Sequence, residues 1–144
     1  MPGDMTDIFP ALMEKNYERT SDPTTNYNCV AWAFHDTTEW WEPDRLNYSY
    51  WPRRIQRSYE LTNYISLCES RQFLRCQDGT PEPGFEKIAI FTRGDEFRHV
   101  ARLLPDGRWT SKLGRGQDIA HELHGLAGDE YGSPTIFMRR FISP

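Results

Sequence analysis

No stretch of this chain is apolar for long enough to cross a bilayer, which takes about 20 residues, and its mean hydropathy is −0.75. The opening residues do not read as a secretory signal either: Met1-Pro2-Gly3-Asp4-Met5-Thr6-Asp7 is acidic and carries no apolar run. Cysteine is scarce. Cys29, Cys68 and Cys76 cannot all pair within one chain, and three in 144 residues is too few for a disulfide scaffold. The expectation is a cytoplasmic chain with free thiols, any export using a route other than the Sec pathway. An excess of positive charge is also lacking, with 17 Lys and Arg against 21 Asp and Glu and a net charge of −4. That argues against nucleic acid or an anionic membrane as partner. Aromatics are the exception to this poverty. Five Trp, seven Tyr and eight Phe make up 14% of the residues. Because each ring buries about 150–250 Å², they offset a chain poor in aliphatics. At this length, residues 1–144 are read as one domain.

The pattern along the chain predicts helices first and strands afterwards, an α+β domain. Residues 6–18 read as a short helix limited by Pro10. The turn-rich Ser21–Asn28 runs into Cys29-Val30-Ala31-Trp32-Ala33-Phe34, a helical stretch with Asn28 as a plausible N-cap. Residues 40–53 hold Trp40, Trp41 and Trp51 in an aromatic loop, and 54–72 suggest a helix headed by Ser58. After the breaker Asp78–Gly84 come strands at 87–92, 97–104 and 108–112. Residues 118–126 read as a short helix capped near Gly128, and 135–141 as a last strand.

A thiolate is the nucleophilic form of cysteine, and the first turn of a helix favours it through its free N–H groups. Those N–H groups also suit an oxyanion. Cys29 occupies that position; Cys68 falls late in a helical pattern, and Cys76 sits beside the Gly/Pro breaker. Among four histidines His99 is the preferred partner, standing in a strand on one face with Phe97 and Ala101. His35 follows Cys29 by six residues and faces elsewhere, while His121 and His124 lie in the late segment. Taken singly, a helix-start cysteine is more often a small buried hydrophobe and a strand histidine more often structural. A metal site from Cys68, Cys76, His121 and His124 matches no Cys-x-x-Cys pattern, and His121-Glu122-Leu123-His124 lacks the i, i+4 pair of the zinc-protease helix.

Taken in order, these pieces resemble a known superfamily. Asn28-Cys29-Val30-Ala31-Trp32-Ala33 resembles the Cys-x-x-Trp-Ala nucleophile segment of CHAP-type amidases. Pro83-Gly84-Phe85-Glu86-Lys87-Ile88-Ala89-Ile90-Phe91 resembles the Pro-Gly-Asp-Leu-Val-Phe-Phe strand start of NlpC-type endopeptidases. His99-Val100-Ala101-Arg102-Leu103-Leu104-Pro105-Asp106-Gly107-Arg108-Trp109 is similar to their His-Val-Gly-Ile-Tyr-x-Gly-Asp-Gly hairpin. The likeness covers roughly residues 26–113, and its Cys-before-His order argues against the circularly permuted acyltransferase relatives. It implies a papain-like core in which a helix carrying Cys29 packs on an antiparallel sheet carrying His99. It implies an acyl-thioester route with no metal or cofactor. The turn-favouring pair of the family's strand start is Phe85-Glu86 here. Ser111 falls where relatives place a polar residue that orients the imidazole, and Asp118, Glu122 or His121 are alternatives for that third role.

The resulting expectation is a cysteine hydrolase of peptide or amide bonds. Cys29 attacks, His99 acts as base and acid, and Asn28 or Tyr27 helps at the oxyanion. Trp41 and Trp51 either line a substrate groove or pack the core. Arg53, Arg54 and Arg57 either meet an acidic substrate or form a solvated patch. Cell-wall peptide is one candidate substrate, and an immunity or inhibitor protein is a further partner if the chain is a toxin. The alternative from another class is an inactive binding module on the same fold, which predicts a Cys29–His99 separation too long for a hydrogen bond, or an occluded thiol.

Overall fold

The run Ile88-Ala89-Ile90-Phe91 is fully buried. Alternate residues of a strand point to opposite faces, so such a run needs cover on both sides of its sheet. The computed structural model describes residues 5–13 and 16–142 and shows how that cover is supplied. Helix α1 (Met5–Ile8) and a 3₁₀ turn (Pro10–Met13) lead into strand β1 (Tyr17–Arg19) and helix α2 (Cys29–Ala33). Helix α3 (Leu61–Ser70) follows the aromatic loop. Strands β2 (Leu74–Cys76), β3 (Phe85–Arg93), β4 (Glu96–Leu103), β5 (Trp109–Lys112) and β6 (Asp118–His121) come next. A 3₁₀ turn (Leu123–Leu126) then precedes β7 (Ser133–Phe141). The seven strands form one antiparallel sheet in the order β1-β6-β5-β4-β3-β7-β2. The class is α+β.

Ile88, Ile90, Val100 and Met138 face a first cluster made with α2, α3 and the rings of Phe34, Trp41, Trp51 and Tyr64. Ala89, Phe91, Ala101, Trp109 and Ile119 face a second, closed by Phe9, Leu12 and Leu126 from the 3₁₀ segments. Aromatic packing supplies much of the first cluster: Tyr64 stacks on Phe97 at 3.6 Å and Trp51 meets Tyr64 edge-on at 5.4 Å. The loop before α3 is held by Arg57, whose guanidinium donates to the carbonyls of Glu42, Asp44 and Ser49 and to the side chains of Asp44 and Asn47.

Several expectations need correction. The helix read over 6–18 is two four-residue turns and a strand. Pro10 offers no N–H to continue a helix, and Tyr17–Arg19 pairs with Ile119–His121. Glu14 and Lys15 of that stretch lie outside the described residues. The helix expected from 118 is strand β6, because Asp118–His121 finds partners on both sides, β5 and β1. Only its end, Leu123–Leu126, coils into a 3₁₀ turn. Helix α3 starts at Leu61 rather than near Ser58. Arg57 is a loop clamp, not a free cation awaiting an acidic substrate.

A bulge changes the faces of β4. Phe91 pairs with His99 but Thr92 pairs with Phe97, so Arg98 is the extra residue. Phe97 therefore joins the first cluster, while His99 and Ala101 turn to the second. The three do not share a face, contrary to strict alternation.

Glycine at 132 permits a close approach that holds the 128–132 loop against β3. Its φ is +72°, and an added Cβ would lie 2.0 Å from the Thr92 carbonyl oxygen. At Gly94, with φ +62°, an added Cβ meets nothing within 4 Å. Thermal melts should therefore separate the two alanine variants. Gly94→Ala carries only left-handed strain, about 1 kcal/mol. Gly132→Ala adds a backbone clash and should lose about 3 kcal/mol or more; equal losses would mean that the close approach does not matter.

Candidate functional site

Cys29 owes its position to Asn28. That residue is extended (φ −116°, ψ −172°), and its side-chain oxygen accepts the Ala31 N–H at 3.2 Å, as an N-cap does. The same side chain accepts from the Trp41 N–H at 3.1 Å and donates to the Trp41 carbonyl at 2.6 Å. One amide thus starts the helix and bolts the aromatic loop to it. On the far side of α2, the Trp32 indole N–H donates to Thr110 Oγ1 at 2.9 Å and Arg102 lies 4.5 Å over its ring. These contacts fix α2 against β4 and β5.

Cys29 is half-buried as a residue and lines a cleft of about 330 Å³. Aromatic walls come from Trp41, Tyr64, Phe97 and Tyr131, and polar groups from Glu42, Arg98 and Glu130. The Arg98 guanidinium is already engaged with the Glu96 carboxylate and the Glu130 carbonyl. Glu42 accepts from the Trp40 indole N–H at 2.9 Å and the Tyr59 hydroxyl at 2.5 Å. Larger surface hollows of about 630 and 620 Å³ lie elsewhere and contain neither Cys29 nor His99.

The electrostatics depart from the activated thiol expected of a helix start. Burial pushes the Cys29 thiol up to about 11. N–H groups of Val100, Val30 and Cys29 itself, with the more distant Lys112 ammonium, pull the other way and do not prevail. A five-residue helix is under two turns long and adds too little dipole to offset the lost hydration. Cys68, within α3, is pushed by burial to about 12, and Cys76 is also raised.

His99 is fully buried, stacked in parallel on Tyr131 at 4.1 Å and edge-on to Phe91 at 5.4 Å. Burial holds its imidazolium well below the ordinary range, and the neighbouring His121 adds to this. Neither ring nitrogen has a hydrogen-bond partner, so no hydrogen bond joins His99 to Cys29. Tyr131 connects the two regions, stacking on His99 and lining the Cys29 cleft.

The remaining sequence-derived residues divide clearly. Ser111 is buried beside His121, not bonded to His99: its hydroxyl meets His121 Nε2 at 2.8 Å. Burial lowers His121 to about 4. Asp118 lies elsewhere, accepting from the Tyr27 hydroxyl at 2.5 Å and from Thr20. Glu122 contributes only its carbonyl, which accepts from His121 Nδ1 at 2.7 Å. The Tyr27 hydroxyl is therefore engaged by Asp118, whereas Asn28 lines the cleft and gives one side-chain N–H to the Trp41 carbonyl. Trp51 is core, its indole donating to the Gln56 carbonyl. Trp41 is core as well, with an edge on the cleft. Among the described residues, Cys68, Cys76, His121 and His124 do not gather into a metal-ligating group.

Sequence reasoning missed Tyr131, Glu42 and the Val100 N–H. The one available signal was Tyr131-Gly132, an aromatic followed by a residue able to take a left-handed turn.

Residues 18–139 match a domain of unknown function, DUF7689, and with most of its length matched the chain belongs to that family. No curated protein matches the chain, and no solved structure does.

A raised thiol has a direct kinetic signature. Only the thiolate reacts with iodoacetamide, so modification of Cys29, followed by peptide mass spectrometry, should speed up about tenfold per pH unit from 7 to 10. A plateau below pH 9 would show that burial does not dominate.

Proposed function

We propose that this chain is a cysteine hydrolase of peptide or amide bonds, built on a papain-like core of the NlpC and CHAP type. Cys29 is the nucleophile and His99 the general base and acid. The observation that carries the reading is the state of His99. Its two ring nitrogens are the only fully buried side-chain polar atoms without a partner among the described residues. Leaving such groups unpaired costs about 1–3 kcal/mol each. An orphan of this kind calls for an explanation, and here a proton-transfer role beside a cysteine cleft supplies one.

Both groups start neutral, so the thiolate forms during attack rather than before it. As the Cys29 sulfur bonds to the substrate carbonyl carbon, its proton passes to His99. The oxyanion is met by N–H groups around the sulfur, those of Cys29, Val30 and Val100. The C–N bond then breaks and His99 returns the proton to the leaving amine. Water, deprotonated by His99, cleaves the thioester. For this the ring has to close on the sulfur; catalytic hydrogen bonds are often loose before substrate binds. Cell-wall peptides, cut by the families the chain resembles, are the first substrates to test.

A second reading, a binding module without turnover, is favoured by the missing Cys29–His99 hydrogen bond and the raised thiol. Incubation with stem peptides and a general peptide mixture, read by mass spectrometry, separates the two. The hydrolase reading expects cleavage that falls about 10²–10⁴-fold in His99→Gln and disappears in Cys29→Ala. Because His99 protonates only well below 6.5, turnover should hold steady from pH 8 to 6.5 and drop in more acidic solution. Peptide bound but never cut, or cleavage indifferent to Cys29→Ala, selects the binding module.

A further inference from the structure

The hollow of about 620 Å³ that contains neither Cys29 nor His99 is a groove between the loop leading into β3 and the turn after β4. His35, just beyond α2, and Ile142, just beyond β7, also line it. Its walls are mainly apolar, made by Pro81, Pro83, Phe85, Leu104, Pro105 and Ile142. Proline has a fixed φ, and the Ile142 N–H donates to the Gly84 carbonyl at 2.9 Å. The walls are therefore set before anything binds. A concave, mostly apolar hollow of this size with a few convergent polar groups is the usual form of a small-molecule site.

The charged groups of the groove are matched, with one exception. Glu82 pairs with Lys87 at 3.2 Å and with Arg139. Glu86 accepts from Arg140 and, at 3.1 Å, from His35 Nε2. Arg102 lines the same groove and forms no ion pair among the described residues. Its guanidinium lies 4.5 Å over the Trp32 ring and donates one N–H to His35 Nδ1 at 2.5 Å, which leaves its other N–H donors for a ligand. Burial lowers Arg102 from the ordinary guanidinium value, and the pull of Glu86 and Asp118 does not cancel that. His35 holds the guanidinium in place. Arginine cannot accept, so His35 Nδ1 is the bare nitrogen and Nε2 carries the proton that reaches Glu86. His35 also takes a left-handed backbone, φ +63°, right after α2, where glycine is the usual occupant. A side chain kept there despite the strain points to a role for that side chain, and fixing Arg102 supplies one.

We infer that this groove binds a small apolar monocarboxylate, whose carboxylate takes the spare N–H donors of Arg102 while its alkyl or aryl body lies along the proline, Phe85, Leu104 and Ile142 walls. The planar fork of a guanidinium matches the two oxygens of a carboxylate. A cationic ligand finds no free partner, because Glu82 and Glu86 are already engaged. One unmatched positive group answers one negative charge, and the chain's net charge of −4 works against a polyanion. The assignment uses neither Cys29 nor His99, so it stands or falls apart from the hydrolase reading.

Titration of the ¹⁵N-labelled chain with octanoate, octylamine and acetate, read by backbone and arginine side-chain NMR, tests this without any substitution. Octanoate should bind saturably and move the signals of His35, Gly84, Arg102 and Ile142. Octylamine lacks the anion and acetate the apolar body, so each should bind at least about tenfold more weakly. Arg102→Gln should weaken octanoate about tenfold or more, the worth of a charge-assisted contact. Arg102→Lys, a point charge without the fork, should recover part of that. Ile142 is 55% exposed, and Ile142→Ser should cost about fivefold in octanoate affinity. Should melting curves show that Arg102→Gln does not fold, the octanoate and octylamine comparison and Ile142→Ser decide the matter. No saturable octanoate binding, equal binding of octylamine, or shifts confined to the Cys29 cleft overturns the proposal. A Gly-Gly-Leu tripeptide that binds more tightly than octanoate overturns it as well, and assigns the groove to a peptide terminus.

Discussion

Burial of both faces of the central β3–β4 pair is the constraint on which the other features depend. A sheet covered on both sides has no wet face for polar residues, so each polar side chain along its strands must find a partner or remain an exception. Lys87 donates to the Asp78 carbonyl and pairs with Glu82 at 3.2 Å. Lys112 donates to the carbonyls of Thr24 and Gly114, and Thr110 takes the Trp32 indole. Against this background of satisfied groups His99 stands out. The Arg98 bulge decides which face it occupies, because the extra residue separates Phe97 from His99 and sends the imidazole to Tyr131 instead of the α2 side.

The same burial shapes the chemistry. Taking a thiol and an imidazole out of water favours the neutral form of each, so the resting pair is thiol and imidazole rather than thiolate and imidazolium. A thiol in this state is protected from stray electrophiles and oxidants. The supporting structure is correspondingly rigid near the sulfur. Asn28 ties the start of α2 to Trp41, and Arg57 gathers the loop that carries Glu42.

Burial also links stability to acidity through the two sheet histidines. Both have folded-state values below the ordinary one, so the unfolded chain binds more protons as pH falls below about 6.5, down to about 4 for His121 and through a lowered value for His99. Their contribution is complete above that window and is lost on acidification through it. Each adds a slope of up to about 1.4 kcal/mol per pH unit within its own window.

Local chemistry determined a good part of this protein. The Asn28 cap, the helical start at Cys29, the β3–β4–β5 meander with its turns at Gly94 and Gly107, and the terminal strand are written in near-neighbour patterns, since capping and turn preferences act over a few residues. The short strands β1 and β6 were hidden because a three- or four-residue strand exists through its partners, not its own propensity. Only the tertiary structure decided that His99 faces away from Phe97, that Ser111 belongs to His121, and that Tyr131 comes from a distant loop to stack on His99. A register bulge, a pairing between strands and a glycine contact at 132 set those three, and each depends on where another part of the chain has gone.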